Sequence, residues 1–155
     1  MIKMADLQSL FSSLGFNDIL TYLQSGNMAF STNLKSTSVI EQKIEEAISA
    51  QLKLNVEIIC RSHDEIHEII AKNPFAGKSA IESLYVTIFK KPIDSAGVVK
   101  KEVSEQYSVT ERCIYLYCPN GYGRTKMNNT NLEKVFKSSA TTRNWKTMMA
   151  IQEML

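Results

Sequence analysis

The apolar residues of this chain keep switching between helical spacing and strand alternation, and turn or capping residues mark each switch. Met4, Leu7, Leu10, Phe11 and Leu14 recur at helical spacing, and Gly15-Phe16 follows as a left-handed stop with a hydrophobic residue to fold back. Ile19 to Leu23 reads as a strand, Gln24-Ser25-Gly26-Asn27 as a turn, and Met28 to Ser31 as the returning strand. Ser38 with Glu41 forms a capping box that opens a helix striped by Ile40, Ile44, Ala47, Ile48 and Leu52. Val56 to Cys60 is β-branched and short, hence a strand. Ser62 with Glu65 starts a short helix through Ile66, Ile69 and Ile70 that Asn73-Pro74 stops.

The second half repeats the theme. Leu84 to Phe89 is the clearest strand, and a short helix is expected around Ala96 to Glu102. Tyr107 to Thr110 and Ile114 to Cys118 read as a hairpin turned at Glu111-Arg112. Pro119-Asn120-Gly121-Tyr122-Gly123 is a loop. Thr130 with Glu133 is expected to cap a helix through Leu132, Val135 and Phe136, and a final helix is expected from Thr141-Thr142 to the end. The order αββαβ, a linking helix, then βαββαα approximates a βαββαβ unit twice, the first time without its first strand. The fold class is therefore α+β: two small ferredoxin-like lobes with antiparallel sheets, helices on one face and C-terminal helices, divided as residues 1–76 and 77–155.

Composition narrows the class. At 155 residues, 44% hydrophobic and 22% charged, the chain is neither disordered nor low-complexity. No apolar run approaches the ~20 residues of a membrane helix, and the first residues do not read as a signal peptide. Three cysteines are too few and too odd for a disulfide framework, which points to a reducing cytoplasm. The net charge of +2 selects no partner, but its distribution is uneven. Up to Cys118, twelve basic residues stand against fourteen acidic ones; from Pro119 onward, six stand against two. Such asymmetry suits an anionic partner, or simply a solvated Lys-rich face.

Familiar catalytic signatures are missing. There is no phosphate loop, no nucleophile elbow and no Cys-x-x-Cys pair, and Gly121-Tyr122-Gly123 meets Lys126 where a dinucleotide fingerprint needs its third glycine. Cys60 with His63 and His67 could approach a metal, but the order matches no zinc spacing and no metal or cofactor is assigned. The polar constellation that remains is basic: Asn120, Arg124 and Lys126 in the loop, beside Asn128 and Asn129, and Thr142, Arg143, Asn144 and Lys146, read with Thr141 as the start of the last helix. A helix N-terminus presents unpaired N–H groups to an anion, and an arginine fork suits phosphate or carboxylate. The same residues would serve equally as an N-cap and as ties between helix and loop. Ser25 and Asn27 are further candidates to line the same cleft.

Three stretches carry a family resemblance: Tyr22 to Asn27, Tyr115 to Lys126, and Ala140 to Thr147, together with Asn73-Pro74-Phe75. Taken in order along the chain, they resemble bacterial domain-of-unknown-function family 1697. That resemblance implies a two-lobed α+β fold and supplies no activity. Members of the family usually carry a strand and a Gly-rich turn ahead of the segment matching Ile2 to Leu7. The resemblance thus implies a first lobe lacking a central strand, with open sheet edges, weak monomer stability or a homo-oligomer.

Three functions remain open on these grounds. One is a binding module for a phosphorylated metabolite or a nucleic acid at the basic C-terminal surface, where Tyr115 and Tyr117 share one strand face and could stack on bases. Another is a small-molecule enzyme with a cleft between lobes and a residue such as Tyr122 as acid or base. The last is a structural or interaction protein whose polar motifs only cap and dock elements.

Overall fold

The structure is a computed structural model that describes residues 2–22, 26–94 and 106–155. It divides into two compact units, Met1–His63 with Ala150–Leu155, and Asp64–Met149.

In the first unit, helix α1 (Met4–Ser13) ends as its sequence requires. Gly15 takes a φ of +83°, its N–H reaches the Ser12 carbonyl at 3.0 Å, and the Phe16 N–H reaches the Phe11 carbonyl at 3.2 Å. This paired closure satisfies two carbonyls left over at the helix end and turns the Phe16 ring edge-on to Phe11, 5.6 Å between centroids. Strands β1 (Asn17–Tyr22) and β2 (Asn27–Ser31) form an antiparallel pair. The β2 residue Phe30 completes an aromatic trio, stacked on Phe16 at 4.5 Å and edge-on to Phe11 at 5.1 Å. Helix α2 (Thr37–Leu52) adds Ile40, Ile44 and Ile48, the expected stripe, to the same cluster.

Two expectations for this unit are corrected. Ser36, not Ser38, caps α2: its Oγ accepts the Val39 N–H at 3.3 Å, and Ser38 sits inside the first turn. Glu41 is consequently no capping partner but a buried acid. Among the described residues, Val56 to Cys60 also joins no sheet. Its Ile58 N–H donates to Glu45 Oε2 at 3.0 Å and its Cys60 N–H to Glu41 Oε2 at 2.8 Å, so carboxylates of α2 take the place of a neighbouring strand's carbonyls. Glu41 and Glu45 are one helical turn apart and Ile58 and Cys60 one strand repeat apart, so the two spacings match with the segment running antiparallel to α2. Arg61 lies 3.9 Å from Glu41, both side chains nearly fully buried.

The second unit is built on a four-stranded sheet in the order β4-β5-β3-β6, antiparallel throughout: β3 (Leu84–Phe89), β4 (Gln106–Val109), β5 (Cys113–Tyr117) and β6 (Ala140–Asn144). The helix expected over Ala96 to Glu102 lies outside the described residues. Helix α4 (Asn129–Phe136) packs Leu132 into a cluster with Phe89, Ile114 and Leu116 on one sheet face. On the opposite face, the Tyr115 Oη donates to the Ile69 carbonyl of α3 (His63–Ala71) at 2.6 Å, and its ring meets Trp145 edge-on. Helices therefore stand on both faces rather than one. The physical signal is in the strands, since Leu84 to Phe89 and Cys113 to Tyr117 are apolar nearly throughout and are buried on both sides. That hydrogen bond also ties α3 to this unit.

The last expectation to change concerns the C-terminus. Residues Thr141 and Thr142 do not begin a helix; they lie in β6, paired with Ile88 and Thr87 of β3. Helix α5 (Trp145–Met154) starts after them, capped by Asn144, whose Oδ1 accepts the Thr147 N–H at 2.8 Å. Likewise α4 is capped by Asn128, which accepts the Asn131 N–H at 2.9 Å, and not by Thr130. Among the described residues, no helix is long and apolar enough to cross a membrane.

Candidate functional site

Strand alternation divides the basic constellation before any side chain is considered. Successive residues of β6 point to opposite faces, so Thr142 and Arg143 look away from each other. Thr142 joins a polar chain at the N-terminus of α4. Its hydroxyl donates to Asn129 Oδ1 at 2.9 Å, which leaves the Thr87 hydroxyl, 2.7 Å away, to donate to Thr142. Asn129 Nδ2 donates in turn to the Ala140 carbonyl at 2.9 Å and to Glu133 at 3.2 Å, and Glu133 accepts the Ala140 N–H at 3.1 Å. The loop closes on the same corner, where Tyr122 Oη accepts the Asn129 N–H at 2.7 Å and its ring lies edge-on to Tyr85. Thr142 is thus occupied in holding α4 to the sheet. Of these partners, Thr87 and Glu133 carried no sequence signal for this role; Asn129 stood beside the candidate loop.

Arg143 is placed differently. It is half-buried on the other face of β6, opposite Val86, and its Nη1 donates to the Thr141 hydroxyl and, at 3.1 Å, to the Thr142 carbonyl. Burial lowers the pKa of its guanidinium from the ordinary arginine value, the mark of a cation partly stripped of water. Arg124 and Lys126 are exposed on the loop, the latter lending its carbonyl to Asn131 Nδ2 at 2.8 Å. Lys146 is exposed in the first turn of α5, 3.9 Å from Glu82. Asn120 is exposed and Asn144 is the α5 cap. Asn27 lies in the first unit, buried, with its Nδ2 3.4 Å from the Tyr22 carbonyl, and Ser25 lies outside the described residues.

The aromatic pair of β5 is not a stacking platform. Tyr115 is 1% exposed and its phenol is pushed up in pKa by burial; Tyr117 is half-buried beside the ring of Phe75. Among the described residues no group of three or more His, Cys, Asp or Glu side chains could hold a metal ion, and none of Cys60, Cys113 and Cys118 is in a disulfide. Asn73, read from the sequence only as a helix stop and as part of the family resemblance, is also a buried polar group: its Oδ1 accepts the Phe75 N–H at 2.9 Å while its Nδ2 is buried without a hydrogen-bond partner.

The fold is similar to that of a conserved bacterial protein, SP0830 from Streptococcus pneumoniae. The two share 18% sequence identity and a TM-score of 0.77, over 99% of this chain and 89% of that one. No curated protein matches the chain. A family model described as a protein of unknown function (DUF1697) matches residues 1–115, from the start of the chain into β5. The chain belongs to that family, DUF1697.

Proposed function

We propose that the protein is a binding module for a small anionic ligand bearing a phosphate or carboxylate, taken up at Arg143 with the basic residues Arg124, Lys126 and Lys146 supplying long-range attraction. The observation that carries this reading is the half-buried Arg143 guanidinium, oriented by Thr141 and by the Thr142 carbonyl. A partly dehydrated fork loses less solvation when an anion docks than an exposed one does. A small ligand is favoured over nucleic acid because Tyr115 is buried in the sheet and offers no base-stacking surface. An odd and low count of three cysteines suits a cytoplasmic setting.

A second reading, that the polar motifs are only structural, is favoured by the hydrogen bonds that Thr142 and Asn144 already make. One experiment separates the two. The only tryptophan, Trp145, lies two residues from Arg143 and reports ligand binding by its fluorescence. Titration with inorganic phosphate, nucleotides and short labelled oligonucleotides at two salt concentrations should give saturable signals for the small phosphates that Arg143→Ala abolishes without unfolding the protein. Steep salt-dependent binding of oligonucleotides alone would place nucleic acid first. Binding unchanged in Arg143→Ala, or absent altogether, leaves the structural reading.

A further inference from the structure

One edge of the second unit's sheet is β6, and the sheet's own hydrogen bonds fix which of its amides face outward. The Phe89 N–H donates towards β5, to the Arg112 carbonyl at 2.8 Å, and the Lys90 N–H towards β6, to the Ser139 carbonyl at 2.8 Å. The two sides of an antiparallel strand alternate residue by residue. Ser139, Thr141 and Arg143 therefore bond to β3, while Ala140 and Thr142 turn their N–H and C=O groups away from it. Among the described residues no strand lies beyond β6.

The two outward residues differ. Ala140 is closed on both counts, since Glu133 accepts its N–H and Asn129 Nδ2 donates to its carbonyl. At Thr142 only the carbonyl is covered, by Arg143 Nη1 at 3.1 Å. That cover blunts the carbonyl's repulsion of an anion and leaves the Thr142 N–H pointing outward beside a guanidinium. The Thr141 hydroxyl accepts from Arg143 Nη1, so its own proton is left to donate elsewhere. The edge of a sheet can hold an anion on its outward amides, and this one has a charge and a hydroxyl built against it.

These three groups approach from different directions. The Thr142 N–H lies in the plane of the sheet, and the Thr141 hydroxyl stands on the face that carries Arg143. The guanidinium bends from that face towards the edge to reach the Thr142 carbonyl. A carboxylate offers two oxygens in one plane, and a phosphodiester has two unesterified oxygens. A phosphomonoester has three, set as corners of a tetrahedron, one for each group. We infer that the ligand of Arg143 is a phosphomonoester seated at the β6 edge, with one oxygen on the Thr142 N–H, one on the Thr141 hydroxyl and one on the guanidinium. This rests on the anion reading of Arg143 and adds two uncharged donors to it. The Glu133 carboxylate, closing Ala140 one strand repeat (about 6.8 Å) away, confines the anion to the Thr142 end.

The test titrates the full chain with methyl phosphate, dimethyl phosphate and acetate at constant ionic strength, above the second phosphate ionisation at about pH 6. Trp145 fluorescence reports binding, and the Thr142 amide resonance reports where the anion sits. Methyl phosphate should saturate, move the Thr142 amide proton downfield, and bind about tenfold or more tightly than the other two. Thr141→Val, which keeps the β-branched shape a strand favours, should weaken methyl phosphate binding by about tenfold, and Thr141→Ser should restore it. Suppose binding is lost in Arg143→Ala, yet the Thr142 amide does not move or Thr141→Val binds as tightly as wild type. The inference is then overturned and the anion reading stands. Acetate or dimethyl phosphate bound as tightly as methyl phosphate overturns the monoester assignment in the same way. No saturable response to any of the three overturns both.

Discussion

In the second unit β3 has a strand on each side, β5 and β6; in the first, among the described residues, β2 has β1 alone, and the extended stretch beyond α2 leans on two carboxylates. The consequence shows in the cores. Val86, Ile114 and Leu116 are each 0% exposed, whereas Met28 and Phe30 of β2 and Val56 and Ile58 of the extended stretch are only partly buried. A closed ladder satisfies the backbone and seals the apolar face in one act. A side-chain substitute satisfies the amides and leaves the face unsealed. The lesson is that main-chain satisfaction and hydrophobic closure are separable, and that this molecule has done both in one unit and only the first in part of the other.

The comparison can be broken most directly by truncating a core side chain in each unit. Leu116→Ala should destabilise the protein by about 3 kcal/mol, as fully enclosed leucines do, while Ile58→Ala should cost about 1 kcal/mol because its site is already half open. Urea unfolding followed by circular dichroism measures both; equal losses would mean that the first unit is as tightly closed as the second.

Glu41→Ala should cost about 2 kcal/mol, since it strips an acceptor from the Cys60 N–H and leaves Arg61 buried beside an empty position. Exchange at the Cys60 amide should quicken in the same variant, and Glu41→Gln, which keeps an acceptor, should restore part of the protection.

For the second unit, Tyr115→Phe should cost about 1 kcal/mol through loss of the bond to the Ile69 carbonyl. It should also change the alkaline limb of stability. Burial raises the folded-state pKa of Tyr115 above its unfolded value of about 10, so the folded chain holds a proton that the unfolded chain gives up. Stability from this group is complete below that pH and is lost as pH rises beyond it. Thermal melts of wild type and Tyr115→Phe should therefore converge with rising alkalinity; parallel curves would show that the phenol is not enclosed.

The smallest effect is one the two units should share. Both α2 and α4 end on a lysine in the left-handed region, Lys53 at φ +57° and Lys137 at φ +54°. Glycine carries no Cβ penalty there, so Lys53→Gly and Lys137→Gly should each raise stability by about 0.5 kcal/mol in thermal melts. A gain in only one unit would tie the difference between them to local helix ends rather than to the sheets.

Much of this architecture was readable from the sequence where local chemistry and tertiary packing agree. Gly15-Phe16 closes α1 because only glycine suits that backbone and a ring is available to fold back. Leu84 to Phe89 and the β4-β5 hairpin follow from β-branched and aromatic residues that are buried whichever way they face. The misreadings fall where two local options were equally good. Thr141-Thr142 is both a helix-capping and a strand-forming pair, and pairing with β3 decided for the strand. Ser36 and Ser38 can each cap a helix, and local spacing pairs Glu41 with Ser38, but the Cys60 amide, nineteen residues away in sequence, takes the Glu41 carboxylate instead. The candidate site was half legible for the same reason. Charge identified Arg143 and Lys146, but nothing in the local sequence showed that Thr142 would be engaged by Thr87, or that Thr142 and Arg143 would face apart.

The carboxylates that hold residues 58 and 60 act like two rulers of unequal pitch laid side by side. A helix turn of four residues advances about 6 Å and a strand repeat of two advances about 6.8 Å, so each interval adds about 0.8 Å of mismatch, which two bonds share at about 0.4 Å each while a third would be about 1.2 Å out. A hydrogen bond tolerates only about 0.5 Å of stretch, so a third bond in the series would fall out of step. The neighbouring rungs on α2 are Thr37 and Ser49, neither of them acidic. A helix can therefore stand in for a strand over two amides and no further, which sets a length limit on any extended segment that is held this way.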